Sequence, residues 1–147
     1  ETGMTSDPNI FAAGDCTSHP NRFAGGLTRL ESVQNANDQA RVVAGNILGK
    51  QVVYDAVPWF WSDQYDIKLQ LAGINRHFDR TLVRGDSTSL ENEGFCVFYL
   101  RNGKLIAADC VGRPKEFMAS KQLITKGITP ELSSLTDEQV EPASWLK

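Results

Sequence analysis

The rhythm of apolar and polar positions changes along this chain, and each change predicts an element. Ile10 to Ala13 is a short apolar run behind a polar bend, Asp7-Pro8-Asn9, and reads as one buried strand. The run stops at Gly14-Asp15. Cys16 to Gly26 is rich in Ser, Pro, Asn and Gly and reads as a loop. From Thr28 to Leu48 the apolar residues Val33, Ala36, Ala40, Val43, Ala44, Ile47 and Leu48 recur at helical spacing, which predicts one long helix with a stripe toward a core. Thr28-Arg29-Leu30-Glu31 fits a capping box at its start, and Gly49 fits a stop at its end.

Gln51 to Val57 is a connector, and Pro58 marks a domain boundary. The densest aromatic patch follows, Pro58-Trp59-Phe60-Trp61-Ser62-Asp63-Gln64-Tyr65. Composition alone would bury it, yet the Ser-Asp-Gln that follows must meet water or a polar partner. Asp66 to Ala72 alternates, with Ile67, Leu69 and Leu71 on one side, and predicts a half-buried strand ending at Gly73. Phe78 to Gly85 reads the same way. Phe95 to Leu100 runs into Asn102-Gly103, a two-residue hairpin signal, and Lys104 to Val111 returns as its partner. A helix opens at Arg113-Pro114, carries Phe117, Met118, Leu123 and Ile124, and ends at Gly127. The tail from Thr129 is polar, with Trp145 as its anchor. Strands in series followed by a helix give an α+β class.

Composition narrows the function. The 147 residues are 41% hydrophobic and 22% charged, in the globular range. A net charge of −3 offers no concentrated basic face, so no nucleic acid is expected. No apolar stretch approaches a bilayer span, so no membrane is expected either. Cys16, Cys96 and Cys110 are an odd, widely spaced set without a C-x-x-C, and all three read as plain buried thiols in a reducing, cytoplasmic setting. His19 reads as an exposed loop histidine and His77 is equally isolated, so no metal is expected. The chain opens on Glu1-Thr2-Gly3, without a methionine, straight into a ligand-side turn. That reads as the C-terminal part of a longer protein.

The candidate chemistry begins at Gly14-Asp15. A glycine permits close approach, and a carboxylate past a strand end suits a hydroxyl-rich ligand. The predicted helix start adds free N–H groups and partial positive charge nearby. Thr5-Ser6 followed by Ile10-Phe11-Ala12-Ala13-Gly14-Asp15 resembles the second flavin fingerprint of two-dinucleotide-domain flavoprotein reductases. The resemblance implies that Asp15, beside Gly14, accepts hydrogen bonds from the ribityl chain of FAD. Arg29-Leu30-Glu31-Ser32-Val33, with Asn35-Ala36 and Gln39-Ala40, is similar to the segment whose backbone covers the flavin pyrimidine. It implies that role for Val33, with Ser32 second.

Pro58 to Tyr65 resembles the opening of the C-terminal domain of ferredoxin reductases that serve Rieske-type dioxygenases and bacterial cytochromes P450. Leu82-Val83-Arg84-Gly85, Phe98-Tyr99-Leu100 and the Arg113-Pro114 helix start extend the likeness. It implies a tryptophan beside the flavin where the iron–sulfur protein docks, Trp61 first and Trp59 second. It also implies a C-terminal reductase domain with an antiparallel sheet and flanking helices over 58–147. Before it, over 1–57, would stand the last strand and long helix of a Rossmann-like FAD domain.

The implied activity is oxidation of NADH or NADPH through FAD, with electrons passed to a 2Fe-2S ferredoxin. No pair of groups for acid–base or nucleophilic chemistry is needed, and no catalytic residue is assigned. Arg29, Arg41 and Lys68 are the candidates for docking an acidic ferredoxin. No G-x-G-x-x-G loop occurs, so upstream FAD and NAD domains of the same polypeptide are expected to complete the sites. The isolated chain should then be inactive. The rival reading is a non-catalytic dimerisation or interaction domain of a related disulfide-reductase or apoptosis-inducing-factor-like flavoprotein. The aromatic patch discriminates, because dimerisation gives no reason to keep tryptophans at a flavin edge.

Overall fold

Helical periodicity produces a helix where it was expected, but a shorter one. In a computed structural model describing residues 1–88 and 94–147, α1 spans Val33–Ile47. Thr28 does not cap it. That residue ends a short strand, β2 (Gly26–Thr28), paired antiparallel with β1 (His19–Asn21), so the presumed loop contains a small hairpin. Ser32 caps instead: its backbone is extended and its Oγ accepts from the Asn35 N–H at 3.1 Å. Gly49 follows the C-cap in the left-handed region and donates to the Asn46 carbonyl, closing the helix as expected.

Ile10 to Ala13 is not a buried strand. Phe11 forms one isolated bridge with Met4, and Ile10 is 54% exposed. The chain doubles back at Asp7-Pro8-Asn9, where Asp7 Oδ1 accepts from the Asn9 N–H at 2.9 Å. That return offers a ladder only one bridge long.

These elements lie in a compact unit, Glu1–Pro58, and Trp59–Lys147 forms a second. The first is inverted. Most of the predicted core stripe of α1 faces outward, with Val33, Ile47 and Leu48 at 58%, 62% and 75% exposure, while Ala36 and Val43 are part-buried. Its buried face carries Gln34, Asn35 and Gln39, and Gln39 meets the buried His19. Helical periodicity defines an apolar face; which face a unit buries depends on what packs against it.

The second unit is conventional. Five antiparallel strands, β3 (Trp59–Gln64), β4 (Ile67–Gly73), β5 (Arg80–Gly85), β6 (Phe95–Arg101) and β7 (Lys104–Val111), lie in the order β3-β4-β7-β6-β5. Asn102 and Gly103 both take positive φ, the geometry a two-residue hairpin requires. Cys96, Phe98 and Leu100 alternate into the core opposite Ala108 and Cys110. Phe117, Leu123 and Ile124 of α2 (Pro114–Lys126) are buried with them, whereas Met118 is 52% exposed and faces away.

The tail is more than a polar extension. It forms α3 (Leu132–Thr136) and a 3-10 turn, Pro142–Leu146. Leu135 is fully buried, and Trp145 meets Phe98 edge-on at 5.7 Å while its Nε1 donates to the Ser134 carbonyl. Beneath it Arg84, 3% exposed, pairs with Glu116 at 3.2 Å and donates to the carbonyls of Asp137 and Val140.

Cys96 and Cys110 are buried and directly opposed. The hydrogen bond between Cys110 and Cys96, then burial, push the Cys110 thiol well up, which suppresses its reactivity. Cys16 departs from expectation and is exposed. Among the described residues no helix is long and apolar enough to cross a membrane, and no cluster of three His, Cys, Asp or Glu could hold a metal ion.

Candidate functional site

The turn carrying Asp15 is built from backbone outward. Gly14 is buried at φ +84, a conformation that disfavours any side chain. Its N–H donates to Gln39 Oε1 at 2.7 Å. Thr17 closes the turn, its N–H reaching the Gly14 carbonyl at 3.0 Å. Thr17 Oγ1 lies 2.8 Å from that carbonyl and 2.8 Å from Gln39 Oε1. Asp15 follows directly, exposed, with no hydrogen bond or ion pair among the described residues. A carboxylate so placed keeps both oxygens available as acceptors.

Ser32 and Val33 stand at the N-terminus of α1. The Ser32 hydroxyl is committed to Asn35, while Val33 is exposed as the first helical residue. The first-turn N–H groups have no intrahelical acceptor, which makes this end electropositive. Gly14 also lies against α1, since a Cβ there would stand 3.5 Å from Ala36 Cβ.

His19 differs most from expectation. It is 6% exposed, with Nδ1 3.0 Å from Gln39 Nε2, and meets Tyr54 edge-on at 5.2 Å. Burial lowers its pKa, so the neutral ring is favoured. Burial raises the Tyr54 hydroxyl. These residues line a cavity of about 290 Å³ of mixed character with Thr5, Cys16, Thr17, Met4 and Val42.

In the second unit, Trp59 and Trp61 project from one face of the edge strand β3, two residues apart, and stack with centroids 5.4 Å apart at 30°. Trp59 is anchored: it meets Phe117 at 5.9 Å, and Lys121 Nζ lies 4.5 Å from its ring centroid. Trp61 is the more open indole, at 36% exposure. Phe60, on the opposite face, is 45% exposed.

The docking candidates all carry local counter-charges. Arg29 pairs with Glu31 at 2.6 Å, Arg41 with Asp38 at 2.7 Å, and Lys68 with Asp63 at 3.5 Å. Exposed pairs of this kind exchange readily with other partners.

The donor chemistry fits a flavin: an uncommitted carboxylate beside a left-handed glycine for hydroxyl groups, and a helix N-terminus for an electron-rich carbonyl. Sequence reasoning missed Gln39, His19 and Lys121 as contributors. Gln39 lay inside a segment already singled out, but nothing in its spacing marks a side chain that bonds a backbone 25 residues away.

An antiparallel five-stranded sheet, backed by helices and carrying tryptophans on its edge, defines a reductase-type C-terminal domain, and the family described as "Reductase C-terminal" matches residues 59–145. The chain belongs to the FAD-dependent ferredoxin reductase family of the putidaredoxin reductase type, as its C-terminal portion. It is 47% identical over 135 residues to the ferredoxin reductase subunit of 5,5'-dehydrodivanillate O-demethylase from Sphingobium sp., covering 91% of this chain and 32% of that protein. Putidaredoxin reductase of Pseudomonas putida is 46% identical over 137 residues, covering 93% and 32%. The crystal structure of the covalent putidaredoxin reductase–putidaredoxin complex superposes with a TM-score of 0.90 at 43% identity, over 99% of this chain and 34% of that one. The chain thus spans about a third of the length of the curated relatives it matches.

Proposed function

We propose that this chain is the portion of an NAD(P)H-oxidising flavoprotein that grips part of FAD and forms its electron exit toward a 2Fe-2S ferredoxin, which in turn serves an oxygenase or cytochrome P450. The observation that carries this reading is the stacked Trp59–Trp61 pair on an edge strand, with Trp61 half in solvent. A domain serving only dimerisation gains nothing from such a pair beside a basic side chain. FAD supplies the conversion of a two-electron hydride into single electrons.

The protein residues bind and orient. Asp15 accepts from ribityl hydroxyls, and Gly14 lets the chain come close. The first turn of α1, at Val33 with Ser32 as its cap, directs N–H groups at developing negative charge on the isoalloxazine. Trp61, braced by Trp59, covers the ring at the exit and excludes water there. The remaining FAD contacts and the nicotinamide pocket come from further sequence upstream. The outward apolar face of α1 supports this, because Val33, Ile47 and Leu48 form a surface suited to being covered.

An FAD titration followed by flavin fluorescence, on this chain and on a version extended upstream, tests the division of the site. Binding by the extended form alone is the expected result. Tight binding by the short chain would show the site to be undivided, and binding by neither would favour the interaction-domain reading.

Arg41 is the docking residue to test first. In the upstream-extended protein, Arg41→Glu places a second acid beside Asp38 and should slow ferredoxin reduction roughly tenfold at low salt, the scale on which steering charges act. Reduction of a small artificial acceptor should stay unchanged. Equal loss of both activities would remove Arg41 from the docking surface.

A further inference from the structure

We propose that Gln39 is a positioning residue for Asp15, acting through the Gly14 backbone and oriented by a neutral His19. The deduction starts from a group with no freedom. The Gly14 N–H can only donate, so the atom 2.7 Å from it must be the oxygen of the Gln39 amide. The amide nitrogen therefore faces His19 Nδ1, 3.0 Å away. That nitrogen can only donate, so Nδ1 must carry a lone pair. The imidazole is then neutral, with its proton on Nε2, and Nε2 is buried with no hydrogen-bond partner among the described residues. One backbone amide thus sets the orientation of Gln39 and the tautomer of His19, which lies 20 residues from Gln39 in sequence.

The chain of donors also runs backwards. Protonating Nδ1 sets a donor against a donor. Gln39 then has to rotate its amide, and its NH2 group meets the Gly14 N–H, which loses its acceptor. The left-handed turn at Gly14 loosens, and with it the placement of the Asp15 carboxylate. Groups on every neighbouring element bear on this proton. Gln39 faces the ring from α1, and Tyr54 from the connector, with Asp38 acting on Tyr54. Cys16 and Glu1 line the same cavity. Among the described residues neither Asp38 nor Glu1 accepts a bond from the imidazole, so no carboxylate offsets its burial.

The functional meaning of this network rests on the flavin reading of Asp15, but its geometry does not. Nitrogen-15 NMR on this 147-residue chain reads it without a cofactor. At pH 7.5, above the usual histidine range, the expected His19 pattern is neutral with Nε2 protonated, and the Gly14 amide exchanges slowly. Gln39→Leu should speed Gly14 exchange at least about tenfold, as loss of one buried hydrogen bond requires, with the Trp59 and Trp145 indole signals unmoved. Gln39→Glu should restore slow exchange, because a carboxylate accepts from Gly14 with one oxygen. Its other oxygen now favours a proton on Nδ1, so the His19 titration should move up by about one unit or more. Acidifying the unsubstituted chain through the His19 titration should release Gly14.

An Nδ1-protonated neutral ring, or Gly14 exchange indifferent to Gln39→Leu and to acid, would overturn the proposal. In the upstream-extended protein, Gln39→Leu should weaken FAD binding roughly tenfold by the same bond, with most of the loss recovered in Gln39→Glu. If Gly14 responds as expected while Asp15→Ala leaves FAD affinity unchanged, the flavin reading fails and the positioning network stands. If Asp15→Ala weakens FAD but Gln39→Leu affects neither Gly14 nor FAD, the network fails alone.

Discussion

Arg84→Met should lower the free energy of unfolding by about 3 kcal/mol, the lower end for removing one partner from a buried ion pair. Arg84 is 3% exposed and Glu116 side chain 7%, so neither group has water to fall back on. The substitution would strip the donors from two carbonyls, Asp137 at 2.6 Å and Val140 at 2.9 Å, and from one side of Glu116. Arg113 also reaches Glu116, at 3.4 Å, and holds Glu138 at 2.7 Å, which softens the loss and places it at the lower end. The guanidinium lies 5.3 Å from the Trp145 ring centroid, so that indole should report the change. Urea unfolding followed by tryptophan fluorescence measures both: a lower midpoint and a red-shifted native spectrum are expected. A loss below about 1 kcal/mol, the range of exposed pairs, would mean that the cluster is solvated and does not hold the tail to the sheet.

Asp15→Ala should act on cofactor affinity and leave stability nearly untouched. The carboxylate is exposed and makes no bond among the described residues, so its loss removes nothing from the fold. A hydrogen bond to a charged acceptor contributes roughly 1.5 to 3 kcal/mol. One such bond to the ribityl chain therefore corresponds to a tenfold to hundredfold loss of FAD affinity in the upstream-extended protein, at about 1.4 kcal/mol per decade. Fluorescence titration of FAD, with a thermal melt of the apo form beside it, separates the effects. Equal FAD affinity in the two proteins would show that Asp15 does not touch the cofactor. A lowered apo melting temperature would instead reveal a structural role that the geometry does not contain.

Elements whose information is local were legible from the chain. The hairpin at Asn102-Gly103 could be read because both residues tolerate positive φ, and the Arg113–Gly127 helix because proline and glycine mark its ends. The apolar run of Phe95 to Leu100 gave the strand, whereas which of its faces is buried emerged only from the structure. Ile10 to Ala13 was misread because an apolar run specifies a strand only where a neighbour supplies a ladder. The start of α1 was misplaced because Thr28 could either cap a helix or pair with His19, and its neighbour in space decided between them.

The sequence by itself determined the α+β class of the second unit, the family, and the residue types able to meet a flavin, since these depend on periodicity, turn chemistry and motif. Tertiary structure alone decided the inversion of the first unit, the Trp59–Trp61 stack on an edge strand, the Arg84 clamp on the tail, and the Gln39–His19 network behind Asp15. Each of these joins residues through a specific orientation of polar groups or rings. Orientation is fixed by which partner stands opposite, and no spacing along a chain records that.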